Sequence, residues 1–324
     1  MKRTRNSVVL TVALLAMTSL AKAAEWGDFM GGGQAPGDSV EYQMHEAPAP
    51  RSQDPTILEN SVRGSFLAHK TSSDTWSIQQ SAGSFHLSST PRISPTGPVV
   101  PRDLWDVETG ARYRHRMGER REWGLAASVG SASDEPFHSI KETTFRVTGT
   151  YRMPARQNNS WLFFLAYSNN RYFANGVPLP GAAYVIHAPD HGLDAVVGLP
   201  FLACNYKPAP DWSGRLTIFG PDSISAEWGY LGWKPVHAYA GYDWSQKQWL
   251  RADRTDNKQR LFFDEKKWIL GVRFPVLREL RADIAALYEF DRRFYDSVRA
   301  VRGGIPEADL SAAWAFQARL SARW

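Results

Sequence analysis

The chain has 324 residues, is 43% hydrophobic and 13% aromatic with 13 tryptophans, and carries 38 basic against 33 acidic side chains. The first 23 residues hold four of the basic groups and no acid, so the remainder is almost neutral, which excludes the basic stripe that nucleic-acid binding requires. A single cysteine, Cys204, excludes an internal disulfide framework and lies too far from the amino terminus to carry a lipid there.

Lys2, Arg3 and Arg5, the apolar run "VVLTVALLAMTSL" and the small-residue site Ala21-Lys22-Ala23 predict a secretory signal peptide over 1–23. The run is too short to span a membrane as a helix, and nothing later reaches the roughly eighteen apolar residues a helical span needs. Residues 24–60 are rich in Gly, Pro and Ser without a sustained period and read as a disordered periplasmic lead-in. The body begins at 61 with a polar stretch, "VRGSFLAHKTSSDTWSIQQSAGSFHLSS", whose first strands have no firm placement before Leu104.

From there a period of two dominates, the signature of strands whose two faces meet different media. Trp123, Leu125, Ala127 and Val129 oppose Glu122, Gly124, Ala126 and Ser128; Phe145, Val147 and Tyr151 oppose Arg146, Thr148, Thr150 and Arg152. Ala238, Ala240, Tyr242 and Trp244 alternate with His237, Tyr239, Gly241 and Asp243, while Trp268, Leu270, Val272 and Phe274 alternate with Ile269, Gly271 and Arg273. In "ADIAALYEFD" Ile284, Ala286, Tyr288 and Phe290 face away from Asp283, Glu289 and Asp291. The last fifteen residues, "LSAAWAFQARLSARW", put Leu310, Ala312, Trp314, Phe316, Ala318, Leu320, Ala322 and Trp324 on one register.

A soluble sandwich would bury that apolar register against a second sheet. Here the polar registers carry charges of both signs, the apolar ones are capped by Trp or Tyr, and the chain ends on an aromatic of the kind that outer-membrane insertion machinery recognises. The expected fold is therefore all-β: a closed antiparallel transmembrane β-barrel with an apolar outer band and a polar interior. At 9 to 11 residues per spanning strand, residues 61–324 accommodate about 12 strands, with 14 also open. Segments 293–309, 131–141 and 169–179 are long and should be extracellular; 117–120, 189–191 and 276–281 are short and should be periplasmic. Counting inward from both ends, these parities agree only with a turn near Ser245-Gln246.

The polar register predicts a lumen lined by Asp106, Glu108, Arg112, Arg114, Arg116, Arg146, Arg152, Arg273, Asp283, Glu289, Asp291, Arg319 and Arg323. Trp314, Phe316, Leu320 and Trp324 are expected to face lipid and to carry the insertion signal. In a narrow barrel such Arg–carboxylate pairs close the bore, and in a wider one they line a water-filled path.

"LWDVETGARYRHR", "SVGSASDEPFHS", "AYAGYDW", "LFFDEKKWILGV" and "YEFDRRFY" resemble an uncharacterised family of bacterial outer-membrane β-barrel proteins, a domain of unknown function common in planctomycete-type bacteria. The likeness spans about 104–294 and implies a barrel and an outer-membrane address, with no catalytic residue and no ligand.

Other chemistry is thin. Asp134, His138 and Ser139 supply the residue types of a hydrolase triad, yet adjacent His and Ser on extended chain point to opposite faces. Asp283, Glu289 and Asp291 share a face, but nearby arginines favour structural ion pairs over acid–base work. His187 and His191 bracket a Pro-containing turn, and the acidic group Asp253, Asp256, Asp264 and Glu265 sits among six basic residues, so no metal or cofactor is expected. The expected role is a non-enzymatic outer-membrane barrel for passive passage of small solutes. A closed-lumen structural barrel is the alternative, and an outer-membrane hydrolase the third reading. Expected partners are outer-membrane lipid, lipopolysaccharide and the insertion machinery, with no nucleic acid. Oligomeric state is open.

Overall fold

A computed structural model of the chain describes residues 38–95, 97–118, 120–171, 175–220, 223–298 and 306–324. The expected signal peptide and the first part of the lead-in lie outside the described residues. Four strands open the sheet: β1 (Ser39–Ala47), β2 (Ile57–Lys70), β3 (Asp74–Leu87) and β4 (Asp103–Arg116). They continue into β5 (Glu122–Ser133), β6 (Thr143–Pro154), β7 (Ser160–Ser168) and β8 (Leu179–Ala188). A shorter set follows: β9 (Leu193–Gly198), β10 (Phe201–Ala209), β11 (Trp212–Phe219) and β12 (Ile224–Tyr230). The last set is β13 (His237–Trp249), β14 (Arg260–Pro275), β15 (Leu280–Ser297), β16 (Glu307–Leu310) and β17 (Ala313–Arg323).

From β1 to β15 each strand pairs antiparallel with the next, and β17 pairs with β1 from Ser39↔Arg323 to Glu46↔Phe316, so the sheet closes on itself. β16 and β17 both run along β15, end to end, as one wall strand interrupted at Ser311 and Ala312. The result is a ring of sixteen strands with β16 as an extra piece, not the twelve expected from the sequence. Two physical reasons account for the difference. The stretch read as a structureless lead-in contains β1 and the start of β2, and β9, β11 and β12 have only 6 to 8 residues each, shorter than the span assumed.

The long loops gather at one end of the barrel, with the two-residue turn Leu199-Pro200 among them, and the end that holds Ser39 and Arg323 has only short turns. All six connections keep the long or short grouping read from the sequence. The turn expected near Ser245-Gln246 does not exist, because β13 runs straight through it. What changes there is the neighbour: β12 pairs with β13 only as far as Ile224↔Trp244, after which β13 has β14 alone as far as Trp249↔Leu261, while β14 stays paired with β15 up to Arg260↔Ser297.

Alternation sorts the side chains between outside and inside. Trp314, Trp268, Leu270, Phe145, Trp161 and Leu165 stand on the outer face and are exposed, and Trp314 is 71% exposed. Phe316, Leu320 and Trp324 are exposed as well. Aromatic pairs run along this face, among them Tyr288–Trp314 and Tyr242–Trp268, with ring centroids 5.2 and 4.9 Å apart.

Two breaks reverse the phase near the loop end. Asp291 has a φ of 53° and forms a bulge where β14 skips from Asp264 to Lys266. Its carboxylate bonds Lys266 and Arg293, on the outer face that carries Trp268, so Asp291 leaves the expected lumen set and Arg292 turns inward instead. A bulge inserts one unpaired residue, which is what flips every side chain beyond it. The gap between β16 and β17 does the same: Leu310, expected outside with Trp314, is buried with Phe294 and Ala308 in the interior.

Candidate functional site: a divided barrel interior

The interior is divided because the upper part of the β13–β14 hairpin, unpaired on its β12 side, reaches across the barrel. Leu250 forms a parallel bridge to Ser133 of β5, and its N–H donates to the Ala132 carbonyl at 2.7 Å. Ala252 N–H donates to Asp134 Oδ1 at 2.8 Å, and Arg254 Nη1 meets Glu142 Oε1 at 2.9 Å. On the β7–β8 side, Gln248 and Arg260 both reach Asn170 Oδ1, at 3.2 and 3.1 Å. Glu142 lies outside the strands. Burial pushes its carboxyl up, but the Ser139 hydroxyl and N–H and the Arg254 guanidinium outweigh this and hold it below the usual carboxylate range.

One side of the hairpin packs into a dry compartment. Phe85, Trp249, Phe263 and Phe294 meet ring to ring at 4.6 to 5.9 Å, surrounded by Ile57, Leu87, Leu104, Leu261 and Leu287, all buried. Beneath this layer lies an ion network. Lys247 Nζ reaches Glu59 at 2.5 Å and Glu265 at 3.3 Å, Lys267 reaches Glu265 at 3.1 Å, and His45 sits 2.6 Å from Glu289, which Arg292 also approaches at 3.3 Å. Farther down, Arg273 holds Glu227 through both terminal nitrogens at 2.7 and 2.6 Å and Asp283 through Nε at 2.7 Å. Tyr239 donates to Asp283 at 2.6 Å and stacks on Arg273. Charges removed from water persist only when paired and hydrogen-bonded in this way.

The other side is open. A cavity of about 1420 Å³ runs from the short turns, at Gly118, Arg120 and Asn158, towards Ser168 and Phe219 near the loop end. Twelve arginines and four carboxylates line it. The carboxylates already have basic neighbours: Glu108 lies 3.5 Å from Arg146, Glu122 3.8 Å from Arg114, Glu41 3.7 Å from Arg319, and Asp194 bonds His187. The positive excess therefore belongs to the space itself.

The expected lumen residues divide between these regions. Glu108, Arg112, Arg114, Arg116, Arg146, Arg152, Arg319 and Arg323 line the large cavity, and Asp106 lines a small pocket above it. Arg273, Asp283 and Glu289 lie in the paired, closed part. Sequence reasoning missed His45, Glu59, Lys247 and Lys267. Lys247 continues the inward register of Tyr239 and Asp243, so extending that period past Ser245 would have found it.

The hydrolase residues do not come together. Ser139 donates to Glu142 at 2.5 Å, His138 lies beside Glu135, and Asp134 accepts from Ala252. Nor do the four acids converge: Asp253 binds Arg251, Asp264 accepts from Trp244, and Glu265 is held by Lys247. Among the described residues no group of three His, Cys, Asp or Glu side chains is placed to hold a metal.

No family model matches the chain, and no curated protein matches it. Among solved structures it is similar to the translocator domain of the autotransporter NalP from Neisseria meningitidis, at 11% identity, TM-score 0.32 and 93% of each chain. It is similar to an outer membrane channel from Pseudomonas putida F1 at 9% identity and TM-score 0.33, covering 90% of this chain and 97% of that one. A TodX monoaromatic hydrocarbon channel mutant gives 8% identity and TM-score 0.36, over 90% and 91%. TM-scores this low carry no weight in assigning a role.

Proposed function

We propose that this chain is a non-enzymatic outer-membrane β-barrel that passes small solutes, with a preference for anions. The carrying observation is the cavity of about 1420 Å³ lined by twelve arginines and four carboxylates. A pore whose wall bears one sign of charge concentrates the opposite ion and repels its own. The membrane address rests on the outward band of tryptophan, leucine and phenylalanine around a closed sheet, since hydrocarbon is the solvent that such a face requires. Long loops would then face outward with the lipopolysaccharide, short turns and the terminal Trp324 would face the periplasm, and Trp324 would be read by the insertion machinery. Kinship with the uncharacterised planctomycete-type barrel family belongs to the same proposal.

Membrane fractionation with a heat-modifiable gel tests the address. Planar bilayers test the channel: discrete conductance steps with reversal potentials favouring chloride over potassium support it, and silence across voltages and salts rejects it. A closed-lumen structural barrel is the second reading, favoured by one feature, the hairpin bonded across the loop end from β13 to β5. A hydrolase is the third; activity on ester or lipid substrates that disappears in Ser139→Ala would be required to revive it.

A further inference from the structure

The large cavity has two unlike walls. On one side β5 presents Ala126 and Ser128 to the cavity, with Gly124 next in the same register, between the arginine-bearing strands β4 and β6, so that small residues lie between Arg112 and Arg114 on one bank and Arg146 and Arg152 on the other. These residues must stay small. A Cβ on Gly124 would stand 2.9 Å from Thr150 Oγ1 and 3.3 Å from the Tyr113 carbonyl. Arg152 is fixed by an Nε bond to Ser160 Oγ at 2.7 Å, and Arg114 Nη2 is buried without a hydrogen-bond partner. A buried guanidinium N–H left unbonded is costly, and a planar two-oxygen anion is the group that fits its fork.

Beyond β7 the wall changes character. Ala166, Val185, Val196, Ala203 and Phe219 line the cavity, backed by Leu162, Phe164 and Phe201 in one apolar cluster. Cross-strand pairing brings the two walls together: Arg152 stands opposite Leu162, Ser160 opposite Val185, and Val185 opposite Val196. At about 4.8 Å between strands, β6 lies roughly 10 Å from β8 and roughly 14 Å from β9.

We infer that this cavity binds amphipathic carboxylates, aryl or medium-chain alkyl acids whose carboxylate sits in the β4–β5–β6 arginine groove while the apolar body lies along Val185 and Val196. The inference deepens the solute-channel reading of the same cavity and rests on it for a biological purpose, but binding itself requires no conductance. A small hydrophilic anion would satisfy the groove and leave the apolar wall unused. A neutral apolar molecule would do the reverse.

The test is calorimetric binding to the full chain in lipid nanodiscs, with protein-free nanodiscs subtracted and folding verified by heat-modifiable migration. The ligands are 3-phenylpropionate, acetate, phosphate and 3-phenylpropanol. 3-Phenylpropionate should bind at least about tenfold more tightly than each of the others, since it alone gains both charge-assisted bonds and apolar burial. Arg152→Gln should weaken it about tenfold, and the near-isosteric Val196→Thr about threefold. Lys266→Gln, on the outer face, should leave it unchanged. Equal binding of acetate or phosphate reduces the cavity to a plain anion site and overturns the inference, as does equal binding of 3-phenylpropanol or no binding by the folded wild-type chain. The comparison among ligands on wild type decides the matter even if a variant fails to fold. Conductance without ligand discrimination sinks this inference and leaves the channel standing, whereas discrimination without conductance does the opposite.

Discussion

Leu250 donates its backbone N–H to the carbonyl of Ala132 at 2.7 Å, although β13 and β5 stand eight places apart in a ring of sixteen strands. No wall pairing joins positions on opposite sides of a barrel. The bond exists because the hairpin outruns β12 at Trp244 and leans into the interior, where Asp134, Glu142 and Asn170 receive it.

That docking predicts a protease pattern. Arg251, Arg254 and Arg260 have buried side chains in the folded chain whereas Lys258 is exposed, so an arginine-specific protease should leave the loop between β13 and β14 intact in wild type. Asp134→Ala combined with Arg254→Ala removes two of the tethers, and cleavage within 251–260 should then precede cleavage elsewhere. Identical digestion of the two proteins would mean that the hairpin is not held across the interior.

Glu142 makes the same contact depend on pH. Its folded carboxyl titrates below its unfolded value, so the stabilisation it contributes is complete above the unfolded pKa of about 4.3 and is lost as pH falls through the folded pKa. Thermal midpoints of wild type should therefore drop between pH 6 and pH 3 by more than those of Glu142→Gln. Parallel curves for the two would count against the Glu142–Arg254 pair.

Lys247 is the hub of the buried network. Lys247→Met would remove the cation shared by Glu59 and Glu265, leaving Glu59 with only His45 and Glu265 with Lys267, at a cost of up to about 3–5 kcal/mol. Adding Glu59→Gln removes the carboxylate that loses its near cation, while Glu265 keeps Lys267, and should recover much of that loss. Urea titration of the three proteins in vesicles measures both steps, and a single variant indistinguishable from wild type would show the network to be dispensable.

Arg273 separates stability from the proposed conduction. It holds Glu227 and Asp283 outside the large cavity's lining, so Arg273→Ala should lower the melting temperature and leave single-channel conductance as it is. A larger conductance step in this variant would place Arg273 on the solute path and contradict the division of the interior.

Much of the wall was readable from residues alone. In β17, in β5 from Trp123 to Val129 and in β14 from Trp268 to Phe274 every second side chain is apolar, because one face meets the outside and the other the lumen, and a period of two needs no tertiary knowledge. The signal fails in β2 and β3 for a physical reason: Asn60 and Gly64 share the register of Val62 and Phe66, and Gln80 and Ser84 share that of Trp76 and Ile78, so both faces look polar. β1 offers only Val40, Tyr42 and Met44, too few to separate a strand from a linker.

The phase reversals were illegible because their cause is local backbone geometry. Asp291 reads as the next inward position after Glu289, and only its positive φ and the pairing shift opposite Glu265 turn it outward. The arginines of the cavity were found by their period. The apolar wall opposite them was not, since Ala166, Val185 and Val196 acquire their common surface only when β7, β8 and β9 are set side by side.

The central claim is that the apolar register of the wall is solvated by lipid and the alternate register by the interior, and cysteine scanning along β17 tests it most directly. In a Cys204→Ser background, single cysteines at Trp314, Phe316 and Leu320 and at Ala315, Gln317 and Arg319 would carry an environment-sensitive dye in vesicles containing spin-labelled lipid. Strong quenching at the first three positions and little at the second three is the predicted result. Quenching that fails to alternate, or that favours Gln317 and Arg319, would contradict the account.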